Sequence, residues 1–410
     1  MAGVLALVRA LASLTFHWVR IGLLEGGFVR SWTAMAIPAP LSVSFLRAEC
    51  KARPCNNQAG HALAEVESAD EENLDGSRVG VKGVNGETSR LLVVSGSDPD
   101  ETLHYIVKRP PPLNSDTRQV SNLQRWGERE CRFYTELAPL TPCRTPQCAL
   151  ASMRNGGNYV LVLEELMSTE WSTHHESQGL NVDQAAAALE SIGTVHKYFR
   201  GNPELDRSWL PVLPVQLPLV PILVDHLKKV WPIVKDLHHE DIPEEIVDKV
   251  DDLAQHYEEL SNRIAAAPRT LLHGDFRAEN MRFRSSSSAS GIGTATGSDM
   301  PQEVAVFDWA MCSKGNGVYD FVYLLSLSLS AENRRAWEPK LTKIYCDAAG
   351  IANDQHFQEQ KRVAVLLIFT SYIFGAPAGV QDPAMKQTHT DGFRSLCDAI
   401  HDWFALELLS

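Results

Sequence analysis

The spacing of apolar residues changes along the chain and divides it into a strand-rich first part and a helical second part. Arg90–Val94, Leu103–Val107 and Tyr159–Leu163 are short runs of Val, Leu, Ile and Tyr, which predict strands. Val120–Leu137 carries Leu123, Trp126, Glu130, Phe133 and Leu137 at three- and four-residue steps, which predicts one helix among those strands. Farther on, Asn181–Phe199 places Ala185, Leu189, Ile192, Val195 and Phe199 on one helical face. Glu244–Ala267 repeats the period with Ile246, Val250, Leu253, Tyr257, Leu260 and Ile264. Thr270–Leu272, Met281–Phe283 and Val304–Phe307 are brief apolar runs, as expected of buried segments around a loop. Trp209–Val234 is apolar but holds five prolines, which suits loops docked on a core or the lining of a cavity. The pattern predicts an α+β fold of two lobes. Residues 76–165 would form a small antiparallel sheet with one helix, and residues 166–410 a larger, mainly helical lobe.

Two stretches fall outside this periodicity. Met1–Arg53 has six Arg or Lys against only Glu25 and Glu49, and Arg9 and Arg20 interrupt its apolar runs. Those runs are too short to cross a bilayer, so no stable membrane insertion is expected. Arg-rich, acid-poor sequence fits an organelle transit peptide, and a nonfunctional extension fits equally. Lys51–Asp75 turns polar and acidic, which predicts a disordered linker and makes 1–75 an extension outside the lobes. Residues 285–302 are dominated by Ser, Gly, Ala and Thr, which predicts a flexible insert at the tip of a hairpin.

The chemistry concentrates between the two brief apolar runs. His273-Gly-Asp275-Phe-Arg-Ala-Glu-Asn280 is followed by Phe307-Asp308-Trp309. An Asp with an Asn five residues later, then a second Asp at a strand end, is the layout that phosphoryl transfer requires. One carboxylate orients the attacking hydroxyl, and oxygen ligands hold Mg²⁺ on the nucleotide phosphates. Asp275 would take the hydroxyl, while Asn280 and Asp308 would take the metal. Mg²⁺ suits such a site because it accepts one or two protein oxygens and completes its shell from phosphate and water. Each residue alone would read as a turn or strand cap; the ordered combination favours the chemical reading.

These segments resemble the aminoglycoside phosphotransferase and choline-kinase-like family, small-molecule kinases with a protein-kinase-like fold. His273-Gly-Asp275 with Asn280, and Asp308-Trp309, carry the resemblance, which extends from about residue 78 to the C-terminus. It implies ATP and Mg²⁺ as cofactors and a small-molecule hydroxyl as acceptor; GTP as donor stays open. It also implies that the main chain around Glu164 and Leu166, after the strand Tyr159–Leu163, meets the nucleotide base. Glu165 would cap the following helix or face the ribose.

Lys108 ends the run Leu103–Val107, where a strand can deliver an ammonium to nucleotide phosphates if a carboxylate fixes it. Glu130 is the candidate carboxylate and the resemblance selects it too, through Glu130-x-x-Phe-Tyr134; Glu128 is the rival. Gly80-x-x-Gly83-x-x-Gly86-Glu-Thr88-Ser89 would let backbone N–H groups approach phosphates, with Gly86, Thr88 and Ser89 nearest. A plain hairpin turn has the same composition. Gly315-x-Gly317-Val-Tyr-Asp320 follows Asp308 with no long activation segment and no Ala-Pro-Glu, which favours a small acceptor over a protein. In the resembling family an Asp at position 320 opens the next helix and anchors the loop. A nucleotide-binding module without turnover would keep many of these motifs, but such modules usually lose the Lys or an Asp.

Composition narrows the class without changing it. The formal charge of −13 argues against nonspecific nucleic-acid binding. Eight cysteines show no Cys-x-x-Cys pair, as expected of reduced thiols in an intracellular protein. Cytoplasm would be the compartment, or mitochondrion or plastid if the N-terminus is a transit peptide. Nothing in the sequence fixes the oligomeric state.

Overall fold

The computed structural model describes residues 41–409 apart from 54, 56, 74–85, 96–97, 114, 167–170, 173–178, 218–219, 267, 286–300 and 380–382. The expectations for most of the N-terminal extension, for Gly80 and Gly83, and for the body of the 285–302 insert therefore lie outside the described residues.

The first lobe begins earlier than the sequence pattern suggested. Helix α1 (Val43–Ala52) starts at Ser42, whose hydroxyl accepts from the Phe45 amide, and α2 (Gln58–Ala64) follows. Then β1 (Val66–Asn73) pairs antiparallel with β2 (Glu87–Ser95), and β2 with β3 (Asp98–Arg109). Most of the described residues from Lys51 to Asn73 are thus helix and strand, not a linker. Its acidic character has a local use. Glu71 on β1 takes an ion pair from Arg109, a hydrogen bond from Ser89 and the Leu41 amide at 2.8 Å. After β3, helix α3 (Asp116–Leu123) is capped by Ser115. Arg125 then adopts a left-handed conformation, φ 56°, before α4 (Trp126–Arg132). The single helix expected over Val120–Leu137 is therefore two helices and a terminal π turn, because the apolar spacing does not register a one-residue kink. β4 (Cys148–Met153) and β5 (Tyr159–Glu164) complete a five-stranded antiparallel sheet in the order β1-β2-β3-β5-β4.

Alternation along the strands gives this sheet two apolar faces. Leu91, Val93, Tyr105, Val107, Val160 and Val162 point to one side, where Leu46 and Cys50 of α1 and Leu63 of α2 cover them. Tyr159, Leu161 and Leu163 point to the other and join the main core through Phe133, Tyr134 and Leu137. A sheet apolar on both faces needs cover on both; that is why the chain before β1 folds.

Removing the Glu71 charge should loosen the sheet in a pH-dependent way. Burial opposes ionisation of Glu71, yet hydrogen bonds from Arg109 and Ser89 hold its carboxyl below its ordinary value of 4.5. A depressed folded-state value means stabilisation that is present above pH 4.5 and lost as pH falls below it. Glu71→Gln should cost roughly 3 kcal/mol at neutral pH, since Arg109 is left buried beside a neutral amide. Urea unfolding should show the gap between variant and parent narrowing below pH 4.5; a gap that is constant with pH would exclude this role.

In the second part, α5 (Val182–Phe199) opens with a capping box between Asn181 and Gln184. Helix α6 (Val220–Leu237) follows, then α7 (Val250–Ala266), which a short break at Asp248 and Lys249 separates from the turn Glu244–Val247. β6 (Thr270–Leu272) leads into the loop around Asp275. β7 (Met281–Ser285) and β8 (Pro301–Val306) pair as the expected hairpin. β9 (Ser313–Gly315) returns to pair with β6. Helices α8 (Val318–Leu327), α9 (Ala331–Ala349), α10 (Gln355–Gly379) and α11 (Pro383–Asp402) form the C-terminal bundle. Its centre is Val363–Phe369 of α10, buried on all sides, where each fully buried large side chain contributes about 1.5–3 kcal/mol.

Candidate active site

The loop after β6 is fixed by contacts to its backbone. Asp320, fully buried in the first turn of α8, accepts from the amides of His273 at 2.8 Å and Gly274 at 3.0 Å. His196 holds the same carboxylate at 3.2 Å and reaches the Tyr345 hydroxyl at 2.9 Å. His196 is a packed residue that orients Asp320. Gly274 has φ +84°, and a Cβ there would meet the Met311 carbonyl oxygen at 2.4 Å, so only glycine fits. His273 Nδ1 accepts from the Asp275 amide at 3.2 Å, which assigns the proton to Nε2 for donation to the Phe307 carbonyl at 2.9 Å.

That last bond joins the loop to the second motif. The Phe307 amide donates to the Asn280 carbonyl at 3.0 Å, so the two segments are linked in both directions. Asn280 Nδ2 donates to the Asp275 carboxylate at 3.0 Å and to its carbonyl at 2.9 Å. With its amide nitrogen committed, Asn280 keeps its side-chain oxygen for another ligand.

Asp308 adopts φ 62° and ψ 58°, an uncommon conformation for a residue with a Cβ. Its neighbours impose it. Trp309 stacks on Phe133 with ring centroids 4.0 Å apart, packs against His273 at 4.7 Å and donates to the Val306 carbonyl at 3.1 Å. Strand β8 arrives from one side and the buried Trp309 leaves on the other, which turns the Asp308 side chain toward Lys108. Lys108 Nζ lies 2.7 Å from Glu130 and 3.1 Å from Asp308.

One ammonium therefore serves two carboxylates. Burial works against the charge of Lys108, but Asp308 and Glu130 hold its ammonium above the ordinary lysine value. Burial likewise opposes ionisation of Asp308, yet Lys108 keeps its carboxyl below the usual range. Glu130 is pushed up to about 7 by burial, with Lys108 opposing. The Glu130 side chain is only 3% exposed against 26% for Asp308, so the deeper carboxyl yields first when the two compete for one cation.

The remaining candidate residues are placed as follows. Ser89 is on the opposite face of β2 from Thr88 and bonds Glu71 and Arg109, away from Lys108. Strand alternation alone turns it there. Thr88 is exposed and pairs directly with Lys108 across β2 and β3. At Gly86 an added Cβ would meet the Arg109 carbonyl oxygen at 2.3 Å, so its glycine serves strand packing. The Glu164 side chain is occupied by Arg144 at 2.5 Å and the Gln147 amide at 2.9 Å. Leu166 follows two residues after β5 in irregular backbone. Glu165 is held by Arg90 at 2.7 Å. Glu128 is engaged by Arg125 and Arg132 on the outer side of α4.

Sequence reasoning missed Arg129. It is buried on α4 and donates to the Cys312 carbonyl at 3.1 Å, tying the helix of Glu130 to the segment after Asp308. Burial pulls its guanidinium down to about 10. Only its place beside Glu130 signalled it.

The sequence profile described as "Phosphotransferase enzyme family" matches residues 81–358, well over half of the chain and all of the residues just described from Gly86 to Asp320. The chain belongs to that family. No curated protein matches this phosphotransferase in sequence. Among solved structures, a protein of Ralstonia eutropha JMP134 assigned to the aminoglycoside phosphotransferases is 15% identical, with 85% of this chain and 97% of that chain covered and a TM-score of 0.49. The GDP complex of aminoglycoside 2'-phosphotransferase-IIIa is 14% identical, with coverage of 88% and 99% and a TM-score of 0.47. Choline kinase from Cryptosporidium parvum Iowa II is 9% identical, with coverage of 88% and 95% and a TM-score of 0.46. Among the described residues of this phosphotransferase, no helix is long and apolar enough to cross a membrane.

The contact between Lys108 and Glu130 makes a prediction for this phosphotransferase. Lys108→Ala and Glu130→Gln should each lower turnover, and the double variant should lose little more, because residues that act as a unit are not additive. Glu128→Gln, which only releases the exposed Arg125 and the half-buried Arg132, should be close to silent. Steady-state ADP release from the four proteins checks this; a double variant showing the product of the two single losses would separate the pair.

Proposed function

We propose that the protein transfers the terminal phosphoryl group of Mg²⁺·ATP to a hydroxyl group of a small molecule. The observation that carries this reading is the Lys108 ammonium within 3.1 Å of both the Glu130 and the Asp308 carboxylate, with Asp275 and Asn280 on the loop bonded to the same strand end.

The residues fit a divalent cation held on phosphates. Asp308 Oδ1 is buried, paired with the Lys108 ammonium at 3.1 Å and accepting no further hydrogen bond, so it keeps a lone pair for a hard ligand. Among the described residues no three His, Cys, Asp or Glu gather as a metal cage. A cation bound with few protein ligands, here Asp308 and the Asn280 oxygen, is what Mg²⁺ on a nucleotide demands. When bound, Mg²⁺ would neutralise charge on the phosphates and orient them. Lys108, kept charged and fixed by Glu130, would pair with phosphate oxygens as a point charge. Asp275, positioned by Asn280 and by the clasp of Asp320 on the preceding amides, would orient the acceptor hydroxyl and take its proton. The route from Asp308 to α8 is nine residues of 3₁₀ turn and the short β9, which leaves no long segment to dock a protein acceptor.

The test is a screen of sugars, amino alcohols, hydroxy acids and sterol alcohols for ADP formation by the full chain with Mg²⁺·ATP, against a chelator control. At least one class should raise metal-dependent ADP formation together with a phosphorylated product. Absence of any Mg²⁺-dependent thermal shift with ATP, and of ADP with every acceptor, would reject the proposal.

A further inference from the structure

The first lobe contains a pair of thiols in contact that the site does not use. Cys55 Sγ lies 3.9 Å from Cys148 Sγ, bridging 93 positions of sequence. Both are free thiols. Among the described residues this is the only thiol–thiol hydrogen bond. Cys148 opens β4 and is buried, whereas Cys55, between α1 and α2, is partly exposed.

Residues shortly after Cys55 are bonded to the start of β4. Asn57 Nδ2 donates to the Cys148 carbonyl at 2.9 Å, and the Ala59 amide reaches the Gln147 side chain at 3.4 Å. Gly60 packs so closely that a Cβ would meet the Cys55 carbonyl oxygen at 2.3 Å. The sulfurs are therefore held near one another by neighbouring contacts, 3.9 Å apart, and must close to about 2 Å to bond. Cys50 and Cys131 also lie near the pair; both are buried, Cys50 in α1 under the sheet and Cys131 in α4, and burial pushes both thiols up, that of Cys50 to about 11.

We propose that Cys55 and Cys148 form a reversible disulfide when the protein meets a disulfide oxidant such as oxidised glutathione. Cys55 reacts first because it is the accessible thiol and its bond to Cys148 favours its thiolate. The Cys55 thiolate attacks one sulfur of oxidised glutathione, forms a mixed disulfide and releases one glutathione thiolate. Cys148 then loses its proton and attacks the Cys55 sulfur, forming the intramolecular bond and expelling the second glutathione. Two protein thiols are oxidised and one glutathione disulfide is reduced to two thiols, so electrons balance. The bond would pin the segment between α1 and α2 to β4, whose first residue pairs with Leu163 next to Glu164. Closing a loop this long restricts the unfolded chain strongly.

The full chain, incubated with oxidised glutathione and then alkylated, should give a single cross-linked peptide pair joining Cys55 to Cys148, reversed by dithiothreitol, with a raised unfolding midpoint. Cys50→Ser should leave this product intact. Cys148→Ser should stop at the mixed disulfide on Cys55, and Cys55→Ser should abolish both products. Circular dichroism of the unoxidised variants separates a failure to fold from a failure to cross-link. Persistent free thiols at both positions, a mixed disulfide on Cys55 in the parent that never closes, or closure onto Cys50 would each overturn the proposal.

Discussion

Asp308→Ala abolishes turnover and weakens Mg²⁺·ATP far more than metal-free ATP: this is the largest effect expected of any single substitution in the chain. The reason is the position of Asp308 between Lys108, at 3.1 Å, and the loop that carries Asn280. Its charge is maintained despite burial because Lys108 sits beside it, and its Oδ1, paired with the Lys108 ammonium, accepts no hydrogen bond from the rest of the fold. Alanine also fits the left-handed backbone at 308 poorly, where φ is 62°. Asp308→Asn is therefore the companion variant, since Asn tolerates that conformation and removes only the anionic ligand. Titration of ATP with and without Mg²⁺, followed by thermal shift, gives the answer. Equal gain from Mg²⁺ in the parent and in Asp308→Asn would remove Asp308 from the metal.

Asp275→Asn should leave nucleotide binding intact while the rate falls by roughly 10²–10⁴, the usual contribution of a positioned general base. The substitution is conservative for the loop. The side-chain oxygen of an Asn at 275 can still accept from Asn280, and the backbone clasp of Asp320 on His273 and Gly274 is untouched. What disappears is the carboxylate, and with it the partner whose charge most raises Arg277, 3.4 Å away. A fall of that size corresponds to about 2.7–5.5 kcal/mol of transition-state stabilisation. Thermal shift with Mg²⁺·ATP reports the retained binding, and single-turnover phosphoryl transfer reports the rate. A near-native rate would place the base elsewhere; lost nucleotide binding would mean that Asp275 shapes the cleft instead.

The segment from His273 to Asn280 was legible because its geometry is local. Asp275 and Asn280 lie five residues apart on one tight loop, and their hydrogen bond needs no distant element. The contact between Lys108 and Glu130 was legible for a weaker reason: a strand end and a helical register narrowed the partner to Glu130 or Glu128, and the structure turns Glu128 toward Arg125 and Arg132. The reading of Ser89 failed on a single alternation. Glycines and hydroxyls in a row suggested phosphate contacts, but neighbours on a strand face opposite sides, and Ser89 belongs with Val107 and Arg109. The linker expected over Lys51–Asp75 failed because its charges were read as solvated. Glu71 is instead consumed by Arg109, thirty-eight residues away.

By itself the sequence determined the family to which the chain belongs and the order of the motifs on which the proposed chemistry rests. The order and spacing of Lys108, Asp275, Asn280 and Asp308 survive any detail of packing, and the hydrophobic periods set a sheet before a helical bundle. Only the tertiary structure decided what holds those residues in place. Asp320 grips the amides of His273 and Gly274, Trp309 stacks on Phe133, Arg129 ties α4 to the Cys312 carbonyl, and α1 and α2 close over the outer face of the sheet. Each of these contacts joins positions tens to nearly two hundred residues apart. Their residue types are common in any core, and a Trp, a buried Arg or an Asp acquires its role only from the surface that the rest of the chain brings against it.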